Sequence, residues 1–164
     1  MIARKITSPA KLGIKGGSNG GLLMGVEFTQ HPELWKAVII DVPLLDMIRI
    51  SKIAAGASWE GEYGSVTDPA VRAFWEKTSP YQNLRKGVDY PEPFIFTTTK
   101  DDRVGPQHAR KFAAKMESMG LPFYFYENTE GGHAAGANLR QQAHTNALEF
   151  TYLARKLMGD SGSQ

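Results

Sequence analysis

The chain has 164 residues, 41% of them hydrophobic and 22% charged, with a formal net charge of +2 and no cysteine. That length suits a single domain, residues 1–164, built on one core, and the composition is that of a folded globular chain. Scattered Lys and Arg exclude a nucleic-acid footprint, which needs a clustered basic face; the missing cysteines exclude disulfides, thiolate metal sites and a cysteine nucleophile; no run approaches the ~18 apolar residues of a membrane span.

Met1-Ile2-Ala3-Arg4-Lys5 lacks the apolar stretch that follows the charges of a secretory leader. With no cysteine present, a cytoplasmic setting is the expectation. Residues 11–15 form the first expected strand, thinly patterned because only Leu12 and Ile14 are strongly apolar, and Gly16-Gly17 reads as the turn that stops it. Residues 20–30 carry Leu22, Leu23, Met24, Val26 and Phe28 and predict a helix that ends near His31-Pro32. Ala37-Val38-Ile39-Ile40, bounded by Asp41 and Pro43, has the continuous apolar character of a buried parallel strand.

The stretch from 44 to 85 is less regular, with a short Leu-Met-Ile segment, a glycine-rich aromatic stretch at 56–64 and a helix over 69–77. Residues 93–99 give the next clear strand. Residues 106–119 give an amphipathic helix opened by Pro106 and closed by Gly120. A last strand is expected over 122–126 and a long helix over 138–157, before a frayed tail at 159–164. Strands alternating with helices argue for an α/β fold, a mainly parallel sheet of about four strands flanked by helices. The strand before Ser18 belongs in the middle of a wider sheet, so the chain reads as one that starts halfway through a fold.

Gly16-Gly17-Ser18-Asn19-Gly20 matches G-x-S-x-G between an expected strand and an expected helix, the setting of a nucleophile elbow. Such a turn holds a serine hydroxyl above the sheet at a helix N-terminus, where free N–H groups favour developing negative charge. The plain alternative is a glycine-rich turn with an N-cap serine. A serine hydroxyl needs a base, and only four histidines are present. His31 beside a proline, His108 in a helix's first turn and His144 within the last helix read as surface or capping residues. His133 instead follows a glycine pair in the loop Glu127-Asn128-Thr129-Glu130-Gly131-Gly132-His133-Ala134, although a solvated loop histidine is the competing reading. Asp101-Asp102, after the strand that runs to Thr99, offers a carboxylate to orient an imidazole; spacing alone does not choose between them. No cluster has metal-ligand spacing, and the glycine-rich turn lacks the lysine of a phosphate-binding loop.

Together these residues resemble the prolyl oligopeptidase family of serine peptidases. The carrying motifs are Gly16-Gly17-Ser18-Asn19-Gly20-Gly21-Leu22, Ser58-Trp59-Glu60-Gly61-Glu62-Tyr63-Gly64, Asp101-Asp102-Arg103-Val104 and Gly132-His133, in that order from about Leu12 to the last helix. The resemblance implies the C-terminal part of an α/β-hydrolase domain, with Ser18 as nucleophile, Asp101 as acid, His133 as base and the Asn19 N–H as one oxyanion donor. It further implies that Trp59 stacks on a substrate proline ring, that Tyr63, Val104 and, more loosely, Leu44 line the same pocket, and that Arg103 binds a substrate carbonyl. As core aromatics or an ion-pair partner, Trp59, Tyr63 and Arg103 would have plainer roles. The family's β-propeller and the first half of its sheet have no counterpart here, nor does its second oxyanion donor, a tyrosine; one such donor is worth ~10²–10³ in rate.

The expected function is therefore hydrolysis of peptide or ester bonds through an acyl-enzyme on Ser18, with ester cleavage dominant and no cofactor or metal. An exposed strand edge predicts a homo-oligomer that covers it. The alternative is a catalytically incomplete fragment that serves as a folding or interaction module.

Overall fold

A computed structural model describes residues 1–133 and 138–159. Ala134 of the His133 loop and the tail from 160 to 164 lie outside the described residues. Four parallel strands, β1 (Gly13–Gly17), β2 (Ala37–Asp41), β3 (Phe94–Thr98) and β4 (Tyr124–Asn128), stand side by side in chain order. Parallel neighbours need crossover connections. These contain α1 (Asn19–Gln30), then the run of α2 (Glu60–Tyr63), α3 (Pro69–Thr78) and α4 (Pro80–Asn83), then α5 (Gln107–Ser118), with α6 (Leu139–Met158) closing the chain.

Alternation along β2 decides which side each helix covers. Val38 and Ile40 pack with Met24 and Phe28 of α1 and with Ala109, Phe112 and Met116 of α5. Ala37 and Ile39 face the other way, toward Phe94, Phe96 and Tyr152 of α6. Burial on both faces explains why β2 is apolar throughout. A third cluster, Leu22, Leu44, Met47, Ile50, Trp75 and Val104, lies under the irregular segment between β2 and α4.

Two strands sit later than their sequence pattern suggests. The first occupies Gly13–Gly17 rather than 11–15, because Gly16 and Gly17 continue the ladder opposite Ile40 and Asp41; these glycines belong to the strand and not to a turn after it. The last occupies Tyr124–Asn128 rather than 122–126, since its pairing starts with Phe94 opposite Tyr124. Among the described residues β1 stands at one end of the sheet.

His108 also departs from expectation. It is 1% exposed, in the first turn of α5, and its Nδ1 accepts the N–H groups of Leu45 and Asp46 at 3.2 and 3.0 Å. Burial pushes its pKa down to about 4. A first-turn histidine reads as a surface cap in sequence, yet here the segment after β2 is laid over it.

Candidate active site

Ser18 is the N-cap of α1, with φ 59° and ψ −118°. A non-glycine residue at positive φ is strained, and the neighbours over-determine it. Its N–H donates to the Asp41 carbonyl at 3.0 Å, and its own carbonyl accepts the Leu22 N–H at 3.1 Å. The helix start crowds back over the strand so closely that a Cβ at position 16 would lie 2.5 Å from the Gly20 carbonyl oxygen. One at position 21 would lie 2.7 Å from the Asp41 carbonyl oxygen. The sequence folds into this turn because glycine alone fits those two places. Asn19 is the first residue of α1, so its N–H has no intrahelical acceptor.

His133 Nε2 lies 3.0 Å from Ser18 Oγ, and His133 Nδ1 lies 2.9 Å from Asp101 Oδ2. One tautomer satisfies both contacts: Nδ1–H donates to the carboxylate and Nε2 accepts the serine hydroxyl. Asp101 is 4% exposed while Asp102 is on the surface, so the structure separates the two aspartates that spacing could not. The second oxygen of Asp101, Oδ1, accepts the N–H groups of Arg103 and Val104 at 3.1 and 2.9 Å. On the His133 side, Thr98 Oγ1 donates to the Gly132 carbonyl at 2.9 Å and the Glu130 N–H donates to Asn128 Oδ1 at 3.0 Å. The three groups thus come from the ends of β1 and β3 and from the loop after β4.

Beside Ser18 opens a cleft of about 230 Å³ lined by Ser18, Asn19, Leu44, Trp59, Glu62, Tyr63 and Arg103. Its aromatic wall is internally braced. Trp59 and Tyr63 meet edge to face at 6.4 Å, Tyr63 and Trp75 at 6.0 Å, and the Trp75 indole N–H donates to the Tyr63 carbonyl at 3.0 Å. The Tyr63 hydroxyl donates to Asn19 Oδ1 at 2.8 Å, joining the wall to the serine turn. Burial first, and then the Glu62 charge, hold the Tyr63 phenol above its ordinary pKa, so it stays a donor. The Arg103 guanidinium lies over the Trp59 ring, 5.7 Å from its centroid, and among the described residues it has no ion-pair partner.

Every residue singled out from the sequence falls at this place, with one difference of position. Val104 does not line the cleft; it is buried in the cluster beneath it, with Leu44. Glu62 was not anticipated. Its signal was its place three residues after Trp59, which puts both on one side of a helical turn. The assembly places a hydroxyl, a base and an orienting carboxylate in line, beside free N–H groups and an aromatic pocket, and such a set supports acyl transfer.

A model of the family described as the prolyl oligopeptidase family matches residues 1–160. The chain is 62% identical over 158 residues to an uncharacterized peptidase of Sinorhizobium fredii, covering 96% of this chain and 22% of that protein. It is 37% identical over 145 residues to a prolyl endopeptidase of Elizabethkingia meningoseptica, covering 86% of this chain and 21% of that one. The solved structure of a post-proline cleaving enzyme from Rickettsia typhi superposes with a TM-score of 0.93 at 41% identity, over 96% of this chain and 23% of that enzyme. The chain therefore spans about a fifth of the length of the proteins it matches.

Proposed function

Because the chain belongs to the prolyl oligopeptidase family of serine peptidases, we propose that it cleaves peptide and ester bonds through an acyl-enzyme on Ser18, with proline as the favoured residue before the scissile bond. The observation that carries this reading is the Ser18–His133–Asp101 line, with contacts of 3.0 and 2.9 Å, set at the mouth of the aromatic cleft.

In this mechanism Ser18 Oγ attacks the substrate carbonyl carbon as its proton passes to His133 Nε2. Asp101 stabilises the imidazolium through Nδ1–H. The Asn19 N–H, at the positive end of α1, faces the oxyanion as it forms. Collapse of the tetrahedral intermediate breaks the bond to the leaving group, which takes the proton from Nε2. Water activated by the freed imidazole then releases the acid and restores Ser18. The proline ring packs on Trp59 between Tyr63 and Leu44, above the layer that holds Val104. Arg103 donates to the carbonyl of the preceding residue. Esters, whose leaving groups depart more readily, are expected to turn over faster than peptides.

The test is hydrolysis of short p-nitrophenyl esters and of a blocked Gly-Pro anilide by the purified chain beside Ser18→Ala. The expected result is turnover that falls ~10³-fold or more in Ser18→Ala, with the anilide further sensitive to Trp59→Ala through KM. Equal rates for the chain and Ser18→Ala would remove the reading and leave the chain as an interaction module.

A further inference from the structure

His133 also lines a second cavity, of about 220 Å³, together with Lys15, Asp41, Val42, Phe96, Gln142, Thr145, Asn146 and Glu149. It holds a charge cluster made of residues outside the Ser18–His133–Asp101 line. Lys15 of β1 bridges Asp41 of β2 at 3.5 Å and Glu149 of α6 at shorter range. Glu149 is 3% exposed, and Asp41 Oδ1 is buried with no donor among the described residues. Lys15 gathers the two carboxyl groups around one ammonium, an arrangement in which their protonation is coupled. Asp41 also has a structural tie to the elbow: its carbonyl accepts the Ser18 N–H, and its neighbour Val42, a β-branched residue, is held at φ 35°.

We propose that Asp41 is a positioning residue for Ser18 and His133: its carboxyl group, with Glu149 and Lys15, forms a proton-sharing cluster behind the imidazole whose net charge sets how strongly His133 holds its proton. The proposal rests on the reading of Ser18 and His133 given above. Among the described residues, the charged and titratable groups facing the cavity are Lys15 from β1, Asp41 from β2, His133 from the loop after β4 and Glu149 from α6; the other lining side chains are uncharged. Burial, followed by the Glu149 charge, raises the Asp41 pKa to about 7, while the Lys15 charge opposes the rise. Below that point the cluster holds one ammonium, one carboxylate and one carboxylic acid, and is neutral. Above it the acid ionises, the cluster carries one net negative charge, and imidazolium at His133 is stabilised.

The test compares the full chain with Asp41→Asn, which fixes the cluster in its neutral form at every pH. Two measurements are made: the NMR titration of the His133 ring protons, assigned with His133→Gln, and the pH profile of Ser18-dependent ester hydrolysis. The expected result is a lower His133 pKa in Asp41→Asn. Its ester kcat/KM is expected to be about five-fold lower above pH 8, with the deficit shrinking as pH falls toward 6, as the loss of one charge lining the same partly wet cavity would give. Glu149→Gln also leaves the cluster without net charge and should shift His133 the same way, so a poorly folded Asp41→Asn leaves the test intact. An unchanged His133 titration in either folded variant overturns the proposal. If the ester assay shows no Ser18-dependent turnover, the functional reading fails while the NMR titration still decides on the cluster.

Discussion

The glycines around Ser18 are not equivalent, and the difference is measurable. A methyl group at position 16 meets the Gly20 backbone at 2.5 Å, whereas one at position 20 meets nothing within 4 Å. Gly16→Ala is therefore expected to cost about 2 kcal/mol and most of the ester turnover. Gly20→Ala, in the first turn of α1, should fold as well as the unsubstituted chain; thermal melting and ester hydrolysis of the pair check this. His108 and Asp41 give a second prediction. The folded His108 pKa of about 4 lies below the ordinary 6.5, so the unfolded chain binds the extra proton and this group's stabilisation, about 3 kcal/mol, is lost as pH falls from 6.5 to 4. Asp41 has the opposite sign: its raised pKa of about 7 means that the folded chain holds the extra proton, and stabilisation is lost as pH rises from 3.8 to 7. The two slopes oppose one another. Urea unfolding between pH 4.5 and 6.5 should show stability rising more steeply with pH in Asp41→Asn, and falling or flat in His108→Gln.

At the scale of elements, one hydroxyl of α6 ties it directly to the backbone at the start of β2. Tyr152 Oη accepts the Val38 N–H at 2.9 Å, where β2 begins, and lies 2.8 Å from the Glu92 carbonyl, to which it donates. Tyr152→Phe leaves the buried Val38 N–H unsatisfied and is expected to cost about 2 kcal/mol, read as a lower urea midpoint, with hydrogen exchange quickening first in α6. Such ties mark the limit of what the sequence alone reveals. Order and type of the main elements were legible, because β2 is a continuous apolar run and α1 and α5 have helical periodicity. The strand ends were not, because Gly16 and Gly17 have the composition of a turn and enter β1 only through pairing with Ile40 and Asp41. The site residues were legible where each sits inside a contiguous motif. Spacing did not separate Asp101 from Asp102, which took the family resemblance and then burial, and the Lys15–Asp41–Glu149 cluster was hidden because each member comes from a different element. Glu62 lies within the Ser58–Gly64 motif, marked there only by its spacing of three residues from Trp59.

At the scale of the whole molecule, the described sheet ends at β1 on one side and β4 on the other. β4 presents Tyr124, 43% exposed, and Phe125, 36% exposed; α6 turns Leu139, Phe150 and Met158 outward. Unpaired strand edges beside apolar side chains invite strand addition. Sedimentation equilibrium of the isolated chain at micromolar concentration is expected to give dimers or larger species, and Phe125→Lys to shift them toward monomer. A monomer throughout that range would show that these edges are sufficiently guarded. Among the described residues no helix is long and apolar enough to cross a membrane.

Asp101 holds the His133 imidazole with one oxygen and the N–H groups of Arg103 and Val104 with the other. The acid of the proton line, the Arg103 arm of the proposed substrate cleft and the buried layer beneath that cleft are thus presented by one short stretch of backbone. Selection for a new substrate acting on residues 103 and 104 disturbs the carboxylate at the same stroke, and gains in preference there would be masked by lost turnover. The α2 wall meets the elbow through the Tyr63–Asn19 side-chain bond. Laboratory evolution of altered specificity should accordingly accumulate its first accepted changes at positions 59, 62 and 63, leaving the stretch after β3 as the conserved hinge on which both chemistry and recognition turn.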